Sequence, residues 1–282
     1  MRLGGPVFTD HNDPGLFAHS HVKKGYTAAY CPDGLKAGDT AKNNSFKEAL
    51  KKNDIIIAEV GAWCNPLSMD NNEADKNISY IIERLALADE MEAVTCVNVI
   101  GTWDTEIWYG PHADNFSDDF FDHAVTVYRR IVDAVKPKKA KMSFEIMPFS
   151  FLDSANGYLR FLNALDRNDY AAVHFDPVNC INSPRVFYDN GAYLANEICL
   201  LGDRIVSIHL KDIDIRHEPP SVMFDEVRIG TGQIDYVSLL KNISKLNNEI
   251  PVMLEHLPDE AQYDEAALHV RECAKAAGVA FY

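Results

Sequence analysis

The sequence predicts a single-domain α/β protein, a closed (β/α)8 barrel over residues 1–282, and three observations carry that reading. Short β-rich apolar runs alternate with longer helical stretches along the whole chain. Several runs, such as Ile55-Ile56-Ile57-Ala58, are continuously apolar, the pattern of strands covered on both faces in a parallel sheet. No Pro/Gly/Ser-rich linker or shift of composition divides the 282 residues, a length that one barrel can fill. An open doubly wound sheet is the competing topology. It would call for a glycine-rich phosphate loop after the first strand, whereas Gly4-Gly5-Pro6 lies within that strand with the wrong spacing.

The elements follow in order. Strands are expected at Leu3–Phe8, Tyr26–Tyr30, Ile55–Val60, Val94–Ile100, Met142–Ile146, Ala171–Asp176, Ile205–Leu210 and Val252–Glu255. Helical patterns fall between them, near 13–24, 44–53, 73–91, 118–135, 154–166, 190–202, 235–247 and 262–277. The third repeats Ile78, Ile81, Ile82, Leu85, Ala88 and Met91 at three- and four-residue spacing; the fourth carries Phe121, Val125, Tyr128, Val132 and Val135. Ser117 before Asp118-Asp119 is an N-cap with acids in the first turn, where the helix dipole favours negative charge. Lys136-Pro137 stops that helix, and Gly202 and Gly278 are suited to C-terminal caps.

Charge and cysteine usage narrow the function. With 27 Lys+Arg against 42 Asp+Glu the net charge is −15, and no long Lys/Arg run is present, so the surface should repel phosphate backbones and nucleic acid is not an expected partner. Six cysteines without a CxxC pair, and an N-terminal stretch without the apolar core of a signal peptide, predict reduced thiols and a cytoplasmic location. No apolar run reaches the ~18–20 residues of a membrane span. A small molecule is the expected partner, with a homo-oligomer or an accessory subunit as open arrangements.

In a barrel the C-terminal strand ends converge on one mouth, where active sites are built. Strand five ends in Phe144-Glu145-Ile146, strand six in His174-Phe175-Asp176-Pro177, strand seven in His209-Leu210-Lys211-Asp212 and strand eight in Leu254-Glu255-His256. Four successive strands thus each deliver one ligand-type residue: Glu145, Asp176, His209 and Glu255. Taken singly, an acid before proline can cap a loop amide and a histidine after apolar residues can be core; the set points to metal. Three carboxylates and one imidazole make a hard site suited to Mn²⁺, Mg²⁺ or Co²⁺, and a cation relieves the repulsion of three facing carboxylates.

The segments Phe144-Glu145, Phe175-Asp176-Pro177-Val178-Asn179, His209-Leu210-Lys211-Asp212, Gly230-Thr231-Gly232-Gln233-Ile234-Asp235 and Leu254-Glu255 resemble the xylose-isomerase-like TIM-barrel superfamily (the AP endonuclease family 2 fold). Within it they resemble the sugar phosphate isomerase/epimerase group of ketose 3-epimerases, inosose dehydratases and hydroxypyruvate isomerases. The resemblance implies that Glu145, Asp176, His209 and Glu255 bind one divalent metal, commonly Mn²⁺, with Mg²⁺, Co²⁺ or Zn²⁺ as alternatives. It also implies that Glu145 and Glu255 act as acid and base, shifting a proton through an enediolate in an isomerase or epimerase of a small sugar or ketose. No basic cluster marks a phosphate site, which favours an unphosphorylated substrate. The alternative is a lyase or dehydratase acting on a keto-sugar, inosose or 3-oxo-C-glycoside with the same residues. An endonuclease of the three-zinc type needs further histidines, and Asn179 stands where one is expected.

Supporting residues are read more loosely. His174 and Lys211 are candidates to hold metal ligands or substrate oxygens, with Lys211 equally able to pair with Asp212. By resemblance to ketose epimerases Arg216 is a substrate-contacting arginine, with a solvated loop charge as the alternative; Arg185 carries the same ambiguity. Strand alternation turns His256 away from the mouth, toward packing. Trp63, Cys64 and Asn65 follow strand three, and Asn98, Trp103, Trp108 and His112 follow strand four. Trp63, Trp103 and His112 are taken as substrate contacts, since ring faces beside polar groups suit a polyol or a glycoside. The stretch from Gly101 to Ser117 is a candidate lid.

Overall fold

The computed structural model describes residues 1–217, 221–247 and 249–282. In chain order its strands are β1 (Arg2–Gly4), β2 (Ala28–Tyr30), β3 (Ile56–Gly61), β4 (Thr95–Val99), β5 (Lys141–Glu145), β6 (Ala171–Phe175), β7 (Ile205–Leu210), β8 (Asp212–Ile215), β9 (Phe224–Val227) and β10 (Pro251–Leu254). Among the described residues, eight of them pair in parallel and close on themselves in the order β1-β10-β7-β6-β5-β4-β3-β2, while β8 and β9 form a separate antiparallel hairpin. The helices are α1 (Pro14–Lys24), α2 (Thr40–Lys52), α3 (Asn71–Glu90), α4 (Asp118–Val135), α5 (Ala155–Leu165), α6 (Pro184–Tyr188), α7 (Asn190–Leu201), α8 (Tyr236–Ile243) and α9 (Glu260–Ala277). The expected barrel is the observed one.

The first strand is shorter than its apolar pattern suggests. It ends at Gly4 because Pro6 has no N–H to extend the ladder. Gly4 itself is needed for closure: a Cβ there would sit 2.4 Å from the Ala28 carbonyl oxygen. The hairpin and the five-residue α6 fall outside the predicted elements, their apolar runs being too short to set a period.

Outward-facing strand residues pack under the helices. Phe144 meets Tyr128 of α4 edge-on at 4.6 Å and Phe161 of α5 at 5.1 Å, fully buried, as a layer of rings each worth roughly 1.5–3 kcal/mol of burial. The Ser117 hydroxyl caps α4 by accepting from Phe120 N at 3.1 Å, and left-handed Lys136 closes it before Pro137. Inside the barrel, Ala28, Ala58 and Met253 form a small apolar plug. Around it lies a polar layer. Thr95 Oγ1 donates to Ser143 Oγ at 2.7 Å, and Ser207 Oγ lies 2.6 Å from His174 Nδ1.

Candidate metal centre

Strand parity decides which side chains reach the mouth. Side chains alternate along a strand, so Phe144 in the helix layer puts Ser143 and Glu145 on the interior face. The same alternation sends His174, His209, Lys211 and Met253 inward, with Asp176 and Glu255 following just beyond their strands. Register then aligns them across the barrel, with Glu145 opposite His174 and Met253 opposite His209.

The result is a cluster. One ligand atom each from Glu145, Asp176, His209 and Glu255 lies within 4.8 Å of all the others. His209 Nδ1 is 2.9 Å from Glu255 Oε2 and 3.6 Å from Glu145 Oε1. Asp176 accepts from Val178 N at 2.8 Å and Asn179 N at 3.2 Å through Oδ1, leaving Oδ2 to face the centre. Asn179 Nδ2 donates to Glu145 Oε1 at 3.0 Å.

Lys211 stands among these acids. Its Nζ is 2.8 Å from Asp176 Oδ2, 2.9 Å from Glu255 Oε2 and 3.3 Å from Glu145 Oε1. Asp212 is not its partner; that carboxylate accepts from Gly230 N, Gly232 N and Ile234 N and ties down the loop before α8. Despite the short distances, Asp176 Oδ2, Glu255 Oε2 and His209 Nδ1 have no hydrogen bond of good geometry. Two unsatisfied carboxylate oxygens and an imidazole nitrogen, whose lone pair a cation would expose by displacing its proton, converge on one point, and this donor set fits a divalent cation.

The charges around this point are finely balanced. Burial opposes the ionisation of Glu145, but Lys211 and His209 outweigh it and hold its carboxyl well below the usual range. Glu255 is likewise brought down to about 2 against its burial, chiefly by His209. Burial would depress His209, yet Glu255 and Glu59 push it well above its ordinary value and favour the imidazolium form. Two cations thus offset two carboxylates. Asp176 is the third acid, and burial raises it to about 7 against the pull of Lys211. A divalent ion taking the places of the His209 and Asp176 protons leaves the net charge of the site unchanged, so the residues fit such an ion electrostatically as well.

Above the cluster opens a cavity of about 500 Å³, within the range of small-ligand sites. Trp63, Val99, Trp108, Tyr109 and Met147 line it together with the polar groups of Lys211, Asn179, Glu226 and His256.

With this geometry in place, the family model described as "Xylose isomerase-like TIM barrel" matches residues 23–273. The chain belongs to that family. Similar solved structures include D-psicose 3-epimerase with D-tagatose from Clostridium cellulolyticum H10, at 14% identity and TM-score 0.70, covering 99% of this chain and 100% of that one. The probable 3-DHS dehydratase involved in petrobactin synthesis from Bacillus anthracis aligns at 12% identity and TM-score 0.68, over 95% and 97% of the two chains. A xylose isomerase-like TIM barrel protein from Mycobacterium smegmatis in complex with magnesium aligns at 15% identity and TM-score 0.65, over 94% and 90%. At such identities the likeness is one of fold. No curated protein sequence matches this chain.

Other residues of this xylose isomerase-like barrel fall where the sequence reading did not put them. Trp103 packs edge-on against Phe120 at 5.2 Å, in the helix layer and away from the cavity lining. His112 caps a 3₁₀ turn at 113–116 by accepting from Asp114 N at 3.2 Å. Arg216 is taken up by Asp225 across the β8–β9 hairpin, its Nη2 2.6 Å from Oδ1. His174 is fully buried beneath the mouth, its Nδ1 at Ser207. Trp63 does line the cavity, 6.2 Å between its ring and that of His209. The lid stretch is pinned at its base: buried Asn115 donates to Thr102 Oγ1 at 2.9 Å and to Phe149 O at 3.0 Å, leaving the exposed tip with Trp108 and Tyr109.

His256 is a correction of another kind. Alternation turns it away from the mouth, but its φ of 58° is left-handed, and the chain turns back so that it lines the cavity beside Glu255. Its Nδ1 lies 3.1 Å from Glu226 Oε1. A positive φ at a histidine has no sequence signature. Glu59, by contrast, could have been found: it is the lone charge in the apolar run Ile55–Val60, it faces inward, and its Oε1 is 3.1 Å from His209 Nε2.

Proposed function

We propose that this chain is a divalent-metal-dependent isomerase or epimerase of a small, unphosphorylated sugar or ketose, with Glu145 and Glu255 as its acid–base pair. The observation that carries this reading is that two ionised carboxylates, on non-adjacent strands of the barrel, reach one cavity within a cluster of ligand-type carboxylate oxygens and an imidazole nitrogen. When bound, a divalent cation would supply Lewis-acid polarisation of a substrate carbonyl, and Mn²⁺ is our first choice. The residues do the rest. Glu145, steadied by Asn179 and Lys211, and Glu255, steadied by His209, stand as proton acceptor and donor. Removal of the proton α to a carbonyl by one ionised carboxylate, with a proton drawn from solvent delivered to the opposite face through the other, inverts that carbon; the first carboxylate handing its proton on to the neighbouring carbon isomerises the sugar. Trp63, Trp108 and Tyr109 give one side of the cavity an apolar wall of rings.

A second reading keeps the residues and ends in elimination, which the likeness to a dehydratase and the apolar wall of rings both support. In deuterium oxide with Mn²⁺, free ketoses that gain solvent deuterium without elimination support the isomerase. A new enone or a released aglycone from inososes or 3-oxo-glycosides supports the lyase. Glu145→Gln and Glu255→Gln are each expected to abolish turnover in a folded protein; a wild-type rate in either removes that residue from the mechanism.

A further inference from the structure

A carboxylate buried in an apolar strand is costly unless something answers its charge. Glu59 on β3 is 2% exposed, with Oε1 3.1 Å from His209 Nε2 across the barrel. Its other oxygen has no hydrogen-bond partner and lies 3.7 Å from His174 Nδ1, which Ser207 already engages. The opposite edge of the His209 ring turns Nδ1 toward Glu255 and Glu145. The His174 ring stands edge-to-face with that imidazole, 4.0 Å between centroids and 74° between planes, so the ring is wedged as well as hydrogen-bonded.

The geometry points to Glu59 as the positioning residue of the centre: it accepts the Nε2 proton of His209 and thereby keeps the Nδ1 lone pair directed at the other ligands. This rests on the metal reading above. The physical reason is tautomeric. A neutral imidazole carries one proton, and an ion at Nδ1 requires that proton on Nε2, where only an acceptor can hold it. Glu59 also raises the basicity of Nδ1 by drawing the N–H toward it. Glu59, His174 and His209 would themselves satisfy the distances of a second cation site. That site would require both nitrogens of His209 to give up their protons at once, so we assign Glu59 to the proton instead.

The test needs no substrate. Mn²⁺ affinity is measured by titration calorimetry for wild type, Glu59→Gln and Glu59→Leu, with a thermal melt of each metal-free variant to show that it folds. Protonation of His209 is read from ¹⁵N-histidine NMR of the Zn²⁺-loaded proteins, zinc being diamagnetic. We expect one ion per chain and an Nε2-protonated His209 in the wild type. Glu59→Leu should bind about 10–100-fold more weakly and lose that fixed tautomer. Glu59→Gln, whose amide oxygen still accepts, should recover part of both. Unchanged affinity and tautomer in both variants overturn the inference while leaving the metal centre intact, as does a loss equal in Gln and Leu with His209 unaltered. Two ions per wild-type chain overturn it in favour of a second site. A wild type that binds none overturns the metal reading and this inference together.

Discussion

Lys211 offers the sharpest perturbation. Its ammonium lies 2.8–3.3 Å from three carboxylates, and the residue is 4% exposed. At an effective dielectric near 20 each contact is worth about 5 kcal/mol of gross attraction, most of it cancelled by desolvation. Removing one partner of such a buried arrangement costs ~3–5 kcal/mol, because the acids left behind must take up protons or repel. Lys211→Met preserves the aliphatic stem and removes only the charge. At roughly 2–4 °C per kcal/mol for a chain of this size, melting in EDTA should fall by about 10 °C. Divalent metal answers the same acids, so with saturating Mn²⁺ the deficit should shrink to less than half. Differential scanning calorimetry of both proteins, with EDTA and with Mn²⁺, gives the four melting temperatures required. An equal deficit in the two conditions would show that Lys211 is packing and not counter-charge, and no deficit in EDTA would refute the ionic argument altogether.

Two further predictions concern pH. Because burial raises Asp176 to about 7 and Glu255 and Glu59 push His209 well above its ordinary value, metal binding should displace protons, and more of them below pH 7, where Asp176 holds its own, than above it. Mn²⁺ affinity therefore weakens as pH falls, more steeply on the acid side; calorimetry in buffers of different ionisation enthalpy counts the protons, and a pH-independent release contradicts the assignment. Far from the mouth, His21 is buried against Phe17 and Tyr26, and burial lowers its pKa to about 4. Its folded value lies below the unfolded value of about 6.5, so the unfolded chain binds the proton more readily. Stability on the order of 3 kcal/mol is full above pH 6.5 and is lost as pH drops toward 4. Denaturant melts from pH 7 to pH 4.5 should show that slope in wild type and a flatter one in His21→Phe; equal slopes exclude His21 as the cause.

What the sequence made legible follows from period and parity. A strand reveals its faces because side chains alternate, so an acid or imidazole at each of four successive strand ends was a readable pattern, and the helices announced themselves through apolar stripes such as that of α4. What escaped has physical causes too. His256 depends on one backbone angle, and alternation cannot foresee a left-handed residue. Trp103 and His112 were assigned by loop membership, which says nothing about whether a ring packs under a helix or over a cavity. Arg216 was drawn off by Asp225, nine positions along, through a hairpin too short to leave a period. Lys211 shares the mouth-facing parity of His209 and was legible for that reason, whereas Glu59 follows a register shift between β2 and β3, where Ala58 and Glu59 both turn inward and alternation alone does not place the acid.

The left-handed turn at His256 has one more consequence. Holding a histidine in that conformation costs about 1–3 kcal/mol in every folded molecule, and what it secures is that two consecutive side chains open onto the same hollow. Neighbours on a pleated ribbon ordinarily look in opposite directions and answer to different surroundings. Here the floor and the rim of the chamber share a peptide bond, so a guest molecule that meets the imidazole at the rim stands one residue from the carboxylate at the base.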